Sequence, residues 1–207
     1  MNAFRYWVAL VLVMWMPGAV LFWFSIHPFV AFWRRAGTRV TLAIHYSAMV
    51  VVAVVMYYFR QPLLSVEYGM QPVLLVGGAI LLGISTAFWV GIRRHLKYRI
   101  LSGVPELATD GHGGALLAEG IYSRIRHPRY VQLMFGLAGW AMILNYLATY
   151  VLAAATIAAL RVIVWMEEKE LRARFGILYE EYAARVPRFI PSKGPSRKSG
   201  ETSPFIR

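Results

Sequence analysis

The longest uncharged stretch of the chain, residues 130–160, is 31 residues long. Arg161 follows it, and five more apolar residues extend the segment to Met166. A helix rises about 1.5 Å per residue, so one straight helix over this segment would be about 55 Å long. The hydrocarbon core of a bilayer is only about 30 Å thick. The segment therefore predicts a helical hairpin that turns near Asn145 and carries Arg161 inside its second arm.

Three shorter uncharged runs precede the hairpin, and each is close to the ~20 residues that cross a bilayer as a helix. The third run is rich in small residues, which permit close helix packing. We predict an all-α integral membrane protein with about five transmembrane helices, the last two forming the hairpin. A charged helix over 167–184 is expected to extend the fifth span. The spans lie at 6–26, 40–59, 72–92, 129–145 and 147–166 of a single domain over 1–191, and a disordered cytoplasmic tail occupies 192–207.

The composition agrees with a lipid environment. Of the 207 residues, 58% are hydrophobic and 15% charged, whereas soluble domains average about 45–50% and about 25%. A soluble enzyme, a secreted disulfide scaffold and a disordered chain are therefore excluded. The chain contains no cysteine, so it offers neither a disulfide framework nor a thiolate metal site, and we expect no metal.

The basic residues indicate the orientation. With five spans, 19 of the 22 lysines and arginines fall on one side of the membrane. Cytoplasmic loops carry such an excess, so the N-terminus is expected outside and the C-terminus in the cytoplasm. The net charge of +12 suits anionic lipid at that surface, and no nucleic-acid partner is expected. The oligomeric state stays open.

Two polar clusters lie where the predicted hairpin meets the cytoplasm. The first, over 120–130, includes Arg126, His127 and Pro128. Proline suits the first turn of a helix, whose free N–H groups favour an anion, so this cluster predicts a site for an anionic group at the membrane surface. The alternative interpretation is a basic juxtamembrane anchor. The second contains Glu167 and Glu168, which oppose the helix dipole and the surface potential unless a cation lies against them. Surface pairing with nearby basic residues is the alternative.

Taken in order, the two clusters resemble a known family. The motif Gly120-x-Tyr122-x-x-x-Arg126-His127-Pro128-x-Tyr130 precedes the hairpin, and Arg161, Glu167-Glu168, Phe175-Gly176 and Val186-Pro187 follow its turn. This pattern is similar to the isoprenylcysteine carboxyl methyltransferase family, within the wider group that includes phospholipid N-methyltransferases. The specific part of the resemblance covers residues 116–191.

The resemblance implies a membrane enzyme that uses S-adenosylmethionine. It implies a cytoplasmic cofactor pocket formed by the loop before helix four and by the C-terminal helix. Arg161 and Glu167 are the expected catalytic residues, with Arg161 facing the methyl acceptor. An arginine inside a membrane span by itself suggests a functional site, and the alternative is that its side chain snorkels to the interface. Arg126 and His127 suit the cofactor carboxylate, and Glu167 suits its cationic or hydroxyl groups. The expected cofactor-binding residues are Leu116, Leu117, Tyr122, Arg126, His127, Pro128, Tyr130, Glu167 and Glu168.

The acceptor stays open at this stage. A lipophilic carboxylate that enters from the bilayer, as in an isoprenylcysteine, is favoured. A phospholipid amine, another lipophilic amine or a thiol is the alternative, and an amine would need a base such as Glu167. Two other classes compete. A sterol-reductase-like membrane enzyme would bind NADPH, whose phosphates require basic residues rather than paired carboxylates, and a non-enzymatic membrane scaffold would tolerate replacement of Glu167 or His127.

Overall fold

The computed structural model describes residues 3–93 and 116–190. These residues are almost entirely helical, with a 3-10 turn at Gly120–Ser123 before the hairpin. The predicted tail and the segment 94–115 lie outside the described residues. The helices are α1 (Ala3–Ile26), α2 (Val30–Ala36), α3 (Thr38–Tyr58), α4 (Arg60–Leu63), α5 (Pro72–Arg93), α6 (Pro128–Leu144), α7 (Leu147–Phe175) and α8 (Ile177–Arg185).

Four of these helices, α1, α3, α5 and α7, are long and apolar enough to cross a membrane, with mean hydropathies of 2.0 to 2.2. The predicted class, an all-α integral membrane protein, is confirmed. The fourth predicted span corresponds to α6, which has 17 residues and so a length of about 25 Å. That is shorter than the ~30 Å hydrocarbon core, so the five-span count stays a prediction.

The predicted break near Asn145 is confirmed. α6 ends at Leu144 and α7 begins at Leu147, and Asn145 has a φ of 57°. Asparagine enters this left-handed region more readily than most residues. The two helices return side by side, and His127, just before α6, lies against Glu168 of α7. The hairpin thus brings together two polar clusters that are about 40 residues apart in sequence.

A network around Arg5 fixes the turn of the hairpin to the preceding loop. The Arg5 guanidinium is buried, lies 2.9 Å from the Glu67 carboxylate and donates to the carbonyl oxygens of Leu144 and Gly69. The Asn145 side chain donates to the same Gly69 carbonyl at 2.9 Å. These bonds satisfy the buried side chains of Arg5 and Asn145, so the turn is held at the opposite end of α6 and α7 from His127 and Glu168.

α5 and α6 approach closely through glycines, as the small residues of the third predicted span indicated. A methyl group placed on Gly78 would lie 2.6 Å from Ile143 and 2.7 Å from the Gly139 carbonyl oxygen. The Ser85 hydroxyl donates to the Gln132 carbonyl across the same contact. α5 therefore packs against the face of α6 and supports its position beside α7.

The prediction of one continuous helix over 167–184 is wrong. α7 ends at Phe175, Gly176 has a φ of 54°, and α8 begins at Ile177. Positive φ is readily accessible to glycine, so the chain changes direction there. After α8, residues 186–190 run back along the beginning of α6; we call these residues the C-terminal strap.

Candidate functional site

The Glu168 carboxylate is fully buried and is bonded to basic groups from three parts of the chain. Arg188 of the C-terminal strap donates through Nε and Nη2, and its shortest contact, to Oε2, is 2.6 Å. Arg126 Nη2 and His127 Nε2 lie 3.0 and 3.2 Å from Oε1. Arg172, one turn further along α7, lies 3.5 Å from Oε2. A buried carboxylate requires such compensation, so Glu168 anchors the loop, the hairpin and the strap to one another.

The C-terminal strap also holds the backbone before α6. The N–H groups of Arg126 and His127 donate to the carbonyl oxygens of Pro187 and Arg188, at 2.9 and 3.2 Å. Arg126 Nη1 donates to the Ala183 carbonyl in α8 at 2.6 Å. Because both terminal nitrogens of Arg126 contact protein oxygens, the structure places this arginine in the support of Glu168 and α8.

Glu167, the neighbour of Glu168, has a different environment. Its side chain is 29% exposed, and its Oε2 atom is buried without a hydrogen-bond partner among the described residues. The nearest basic atom is His127 Nδ1, at 3.8 Å, which is too long for a hydrogen bond. Glu167 is therefore the acid of the pair whose hydrogen-bonding capacity is left for another group.

The hydrogen bond between His127 and Glu168 defines what faces Glu167. A carboxylate only accepts hydrogen bonds, so His127 Nε2 donates to Glu168. The other imidazole nitrogen, Nδ1, lies 3.8 Å from Glu167 Oε2. A hydrogen-bond donor placed against Glu167 Oε2, above all a cationic one, would satisfy this oxygen.

Tyrosines surround this position. Burial and the neighbouring Glu167 carboxylate raise the pKa of Tyr122 to about 12, so its phenol stays neutral. The Tyr122 carbonyl accepts a hydrogen bond of 2.7 Å from the Tyr182 hydroxyl in α8. The ring of Tyr130 lies 5.7 Å from that of His127, and Pro128 is buried at the first position of α6.

The remaining predicted residues lie further away. Leu116 packs against the tyrosine cluster of α8, and Leu117 is exposed. Arg161 is exposed on α7, two helical turns or about 10 Å from Glu168 along the axis. The structure thus brings together Tyr122, Arg126, His127, Pro128, Tyr130, Glu167 and Glu168, whereas Leu116, Leu117 and Arg161 stand apart from them.

Sequence reasoning missed Arg188, and it gave Glu170 and Arg129 no role in the site although both lie in the two polar clusters. Arg188 makes the shortest ion pair to Glu168 but lies 20 positions away, directly after the Val186-Pro187 part of the motif. Glu170 contacts His27 and Arg34 at 3.6 and 3.7 Å, joining α7 to the region of α1 and α2. Arg129 lies with its guanidinium over the Trp23 ring. For Glu170 and Arg129 the available signal was their charge, because both lie in the polar clusters that contain the predicted residues.

Comparisons with known proteins relate this chain to methyltransferases. The model of the phospholipid methyltransferase family matches residues 73–177, about half of the chain. These residues include α5, α6 and α7 with His127, Glu167 and Glu168, and exclude Arg188. In the parts that the structure describes, no group of three acidic, histidine or cysteine side chains could hold a metal ion.

Two curated relatives are also methyltransferases by name. Methanethiol S-methyltransferase 2 of Bradyrhizobium diazoefficiens is 33% identical over 93 residues, which are 45% of this chain and 35% of the relative. Protein-S-isoprenylcysteine O-methyltransferase of Schizosaccharomyces pombe is 34% identical over 77 residues, 37% of this chain and 33% of the relative. The match thus spans about a third of the length of each relative. The resemblance seen in the motifs is confirmed at the level of the wider group: this chain belongs to the phospholipid methyltransferase family.

Proposed function

We propose that this protein is an S-adenosylmethionine-dependent methyltransferase of the membrane that methylates a lipophilic acceptor. The observation that carries the proposal is the environment of Glu167. Its buried Oε2 atom has no hydrogen-bond partner among the described residues and lies 3.8 Å from His127 Nδ1. S-adenosylmethionine has a sulfonium, an ammonium and ribose hydroxyls, and the last two are hydrogen-bond donors that suit such a position.

The chemistry of the surrounding residues fits this cofactor. Glu167 and His127 would hold its donor groups, with Tyr122, Pro128 and Tyr130 as neighbours and Leu116 and Leu117 nearer α8. Arg126 and Glu168 would act through the positions of His127 and α8, since the two terminal nitrogens of Arg126 and both oxygens of Glu168 already contact protein. When bound, the cofactor supplies an electrophilic methyl group. Methyl transfer is a displacement, in which alignment of the acceptor with the methyl group can provide much of the rate. Here the rigid Glu168 network would provide that alignment.

The charge arrangement opposes the reductase alternative. A dinucleotide phosphate requires basic side chains that are available to bind it. In the described part of the chain, Arg126 and Arg188 are bonded to Glu168, and Arg34 lies 3.7 Å from Glu170. Arg129 has no ion pair there, but it shares its surroundings with the Glu167 carboxylate, since both charges act on Tyr122. The acid that remains available, Glu167, would repel a phosphate. We therefore retain NADPH only as the control ligand.

For the acceptor we propose a lipophilic carboxylate that reaches the site from the bilayer. Arg161 is exposed on the membrane-spanning helix α7, and an intramembrane arginine requires an anionic or polar partner. Because a carboxylate acceptor has no proton to lose, the transfer needs little acid–base chemistry. A thiol is the second candidate, since one relative is named a methanethiol S-methyltransferase; Glu167 would then accept the proton.

The cofactor proposal is tested by calorimetry on the detergent-purified protein with S-adenosylmethionine and, separately, with NADPH. We expect binding of S-adenosylmethionine alone. Glu167→Gln should weaken it at least tenfold, about 1.4 kcal/mol, while Glu181→Gln, an exposed acid on α8, should leave it unchanged. Binding of NADPH instead, or equal affinities of the wild type and Glu167→Gln, would contradict the proposal.

The acceptor proposal is tested with Arg161→Ala. We expect this variant to lose turnover or acceptor affinity and to keep the affinity for S-adenosylmethionine, because Arg161 lies two turns away from Glu168. Transfer of a radioactive methyl group is measured to an S-prenylated cysteine, to a long-chain thiol and to phosphatidylethanolamine. Lys169→Ala, which removes an exposed cation of the same helix, is the control. Equal loss of cofactor binding and turnover in a folded Arg161→Ala protein would remove Arg161 from the acceptor site.

A further inference from the structure

The three acids of α7 point to different neighbours. Glu168 contacts the loop before α6 and the C-terminal strap, and Glu170 contacts His27 and Arg34 near α1 and α2. Successive side chains of a helix are about 100° apart, so Glu167 lies between these two directions. It therefore faces the region between the end of α1 and the beginning of α6.

Arg129 borders the same region. It is the second residue of α6, is half-buried, and its guanidinium lies 5.0 Å from the centre of the Trp23 ring of α1. Stacking on an indole stabilises a cation without neutralising its charge. Both charges reach the phenol of Tyr122: Glu167 raises its pKa and Arg129 lowers it. Arg129 and Glu167 are thus opposite charges that both act on this one tyrosine.

Arg129 differs from the other basic residues nearby because they already have acidic partners. Arg126 and Arg188 are bonded to Glu168, and Arg172 lies 3.5 Å from it. Arg34 lies 3.7 Å from Glu170. Within residues 3–93 and 116–190, Arg129 has neither an ion pair nor a hydrogen bond from its side chain. Its two terminal nitrogens and planar shape are suited to a carboxylate.

An α-amino acid carries its ammonium and its carboxylate on one carbon atom, so its recognition requires an acid and a base close together. We propose that Arg129 and Glu167 form a clamp for the amino-acid end of S-adenosylmethionine, in which Arg129 binds the carboxylate and Glu167 the ammonium. The clamp assigns to Arg129 the role that the sequence suggested for Arg126. It rests on the proposed use of S-adenosylmethionine and adds how that molecule is oriented.

The test compares two ligands that differ in a single group. Decarboxylated S-adenosylmethionine keeps the sulfonium and the ammonium and lacks the carboxylate. The wild-type protein should bind S-adenosylmethionine at least tenfold more tightly than this analogue in calorimetry. Arg129→Gln should bind the two ligands equally, and Arg129→Lys should keep part of the difference. Glu167→Gln should weaken both ligands, because both retain the ammonium.

Arg124→Gln is the matched control, since Arg124 is an exposed arginine of the same loop; it should preserve the wild-type ratio of affinities. Thermal unfolding of each variant verifies that it is folded. A wild-type ratio in Arg129→Gln, or an equal loss for both ligands, overturns the clamp and leaves the proposed function intact. If the wild-type protein binds neither ligand, the proposed function fails, and the clamp fails with it.

Discussion

At the scale of single residues, the central feature is that two adjacent glutamates have opposite surroundings. Glu168 is completely buried with four basic partners, whereas Glu167 is partly exposed and its buried oxygen has no hydrogen-bond partner in the described residues. The difference follows from helix geometry, which turns the second side chain by about 100° relative to the first. One acid therefore stabilises the fold, and the other is available to a ligand.

This contrast predicts that replacement by glutamine lowers the free energy of unfolding strongly at Glu168 and hardly at all at Glu167. Glu168→Gln removes the charge that compensates Arg126 and Arg188, and breaking a buried ion pair costs about 3–5 kcal/mol. Glu167→Gln should change the free energy of unfolding by less than about 0.5 kcal/mol, because no hydrogen bond is lost. Thermal unfolding in detergent measures both. Equal destabilisation by the two variants would contradict the division of roles.

The sequence predicted the acidic pair and its need for a cation but could not separate the two acids. That separation depends on which face of α7 meets the loop before α6, and hence on the packing of α6. Arg188 could not be predicted for a related reason. Its contact with Glu168 forms only because Gly176 turns the chain and the C-terminal strap returns to His127, which are long-range events without a local pattern.

At the scale of the elements, the hairpin turn depends on one residue with an unusual backbone conformation. Asn145 has a φ of 57°, donates to Gly69 and accepts from the Tyr150 hydroxyl. The need for a turn was predictable from length, since the 37 residues of 130–166, of which only Arg161 is charged, are too many for one crossing. The contacts that hold it were not, because Arg5 and Glu67 come from segments far away in sequence.

Substitutions at Asn145 should separate these two contributions. Asn145→Gly keeps the favourable left-handed conformation and loses two hydrogen bonds, each worth about 1 kcal/mol. Asn145→Ala loses the same bonds and adds strain of about 1–2 kcal/mol. We expect the stability order wild type, then glycine, then alanine, from chemical unfolding in mixed micelles. Equal stabilities of the two variants would show that the backbone conformation costs nothing at this turn.

The close packing of α5 against α6 gives a second prediction at this scale. Gly78→Ala places a methyl group 2.6 Å from Ile143 and 2.7 Å from the Gly139 carbonyl oxygen, and such overpacking typically costs about 1–3 kcal/mol. Gly83→Ala is the matched control in the same helix, because nothing lies within 4 Å of the added methyl group. Lower thermal stability is expected only for Gly78→Ala. Unchanged stability of that variant would mean that the two helices can separate without cost.

At the scale of the whole molecule, polar networks occupy both ends of the hairpin. The Arg5 network holds its turn, and the Glu168 network holds the opposite end, where the loop, α7 and the C-terminal strap meet. α6 and α7 connect the two through apolar packing. The unequal charge of the two ends supports the proposed orientation, because the Glu168 end carries the basic loops and the Arg5 end carries few charges. It would place the cofactor site at the cytoplasmic surface and the apolar helices where a lipophilic acceptor arrives.

The proposed orientation can be tested directly because the natural chain contains no cysteine. Gln61 in α4 and Ala184 in α8 are exposed, and three predicted spans separate them. In bacterial spheroplasts we expect a membrane-impermeant maleimide to label Gln61→Cys from outside and Ala184→Cys only after lysis, with the cysteine-free protein as the blank. If α6 does not cross the membrane, only two spans separate the positions and both variants would label from the same side. That result would reject five spans, and the reverse labelling pattern would reject the orientation while keeping the span count.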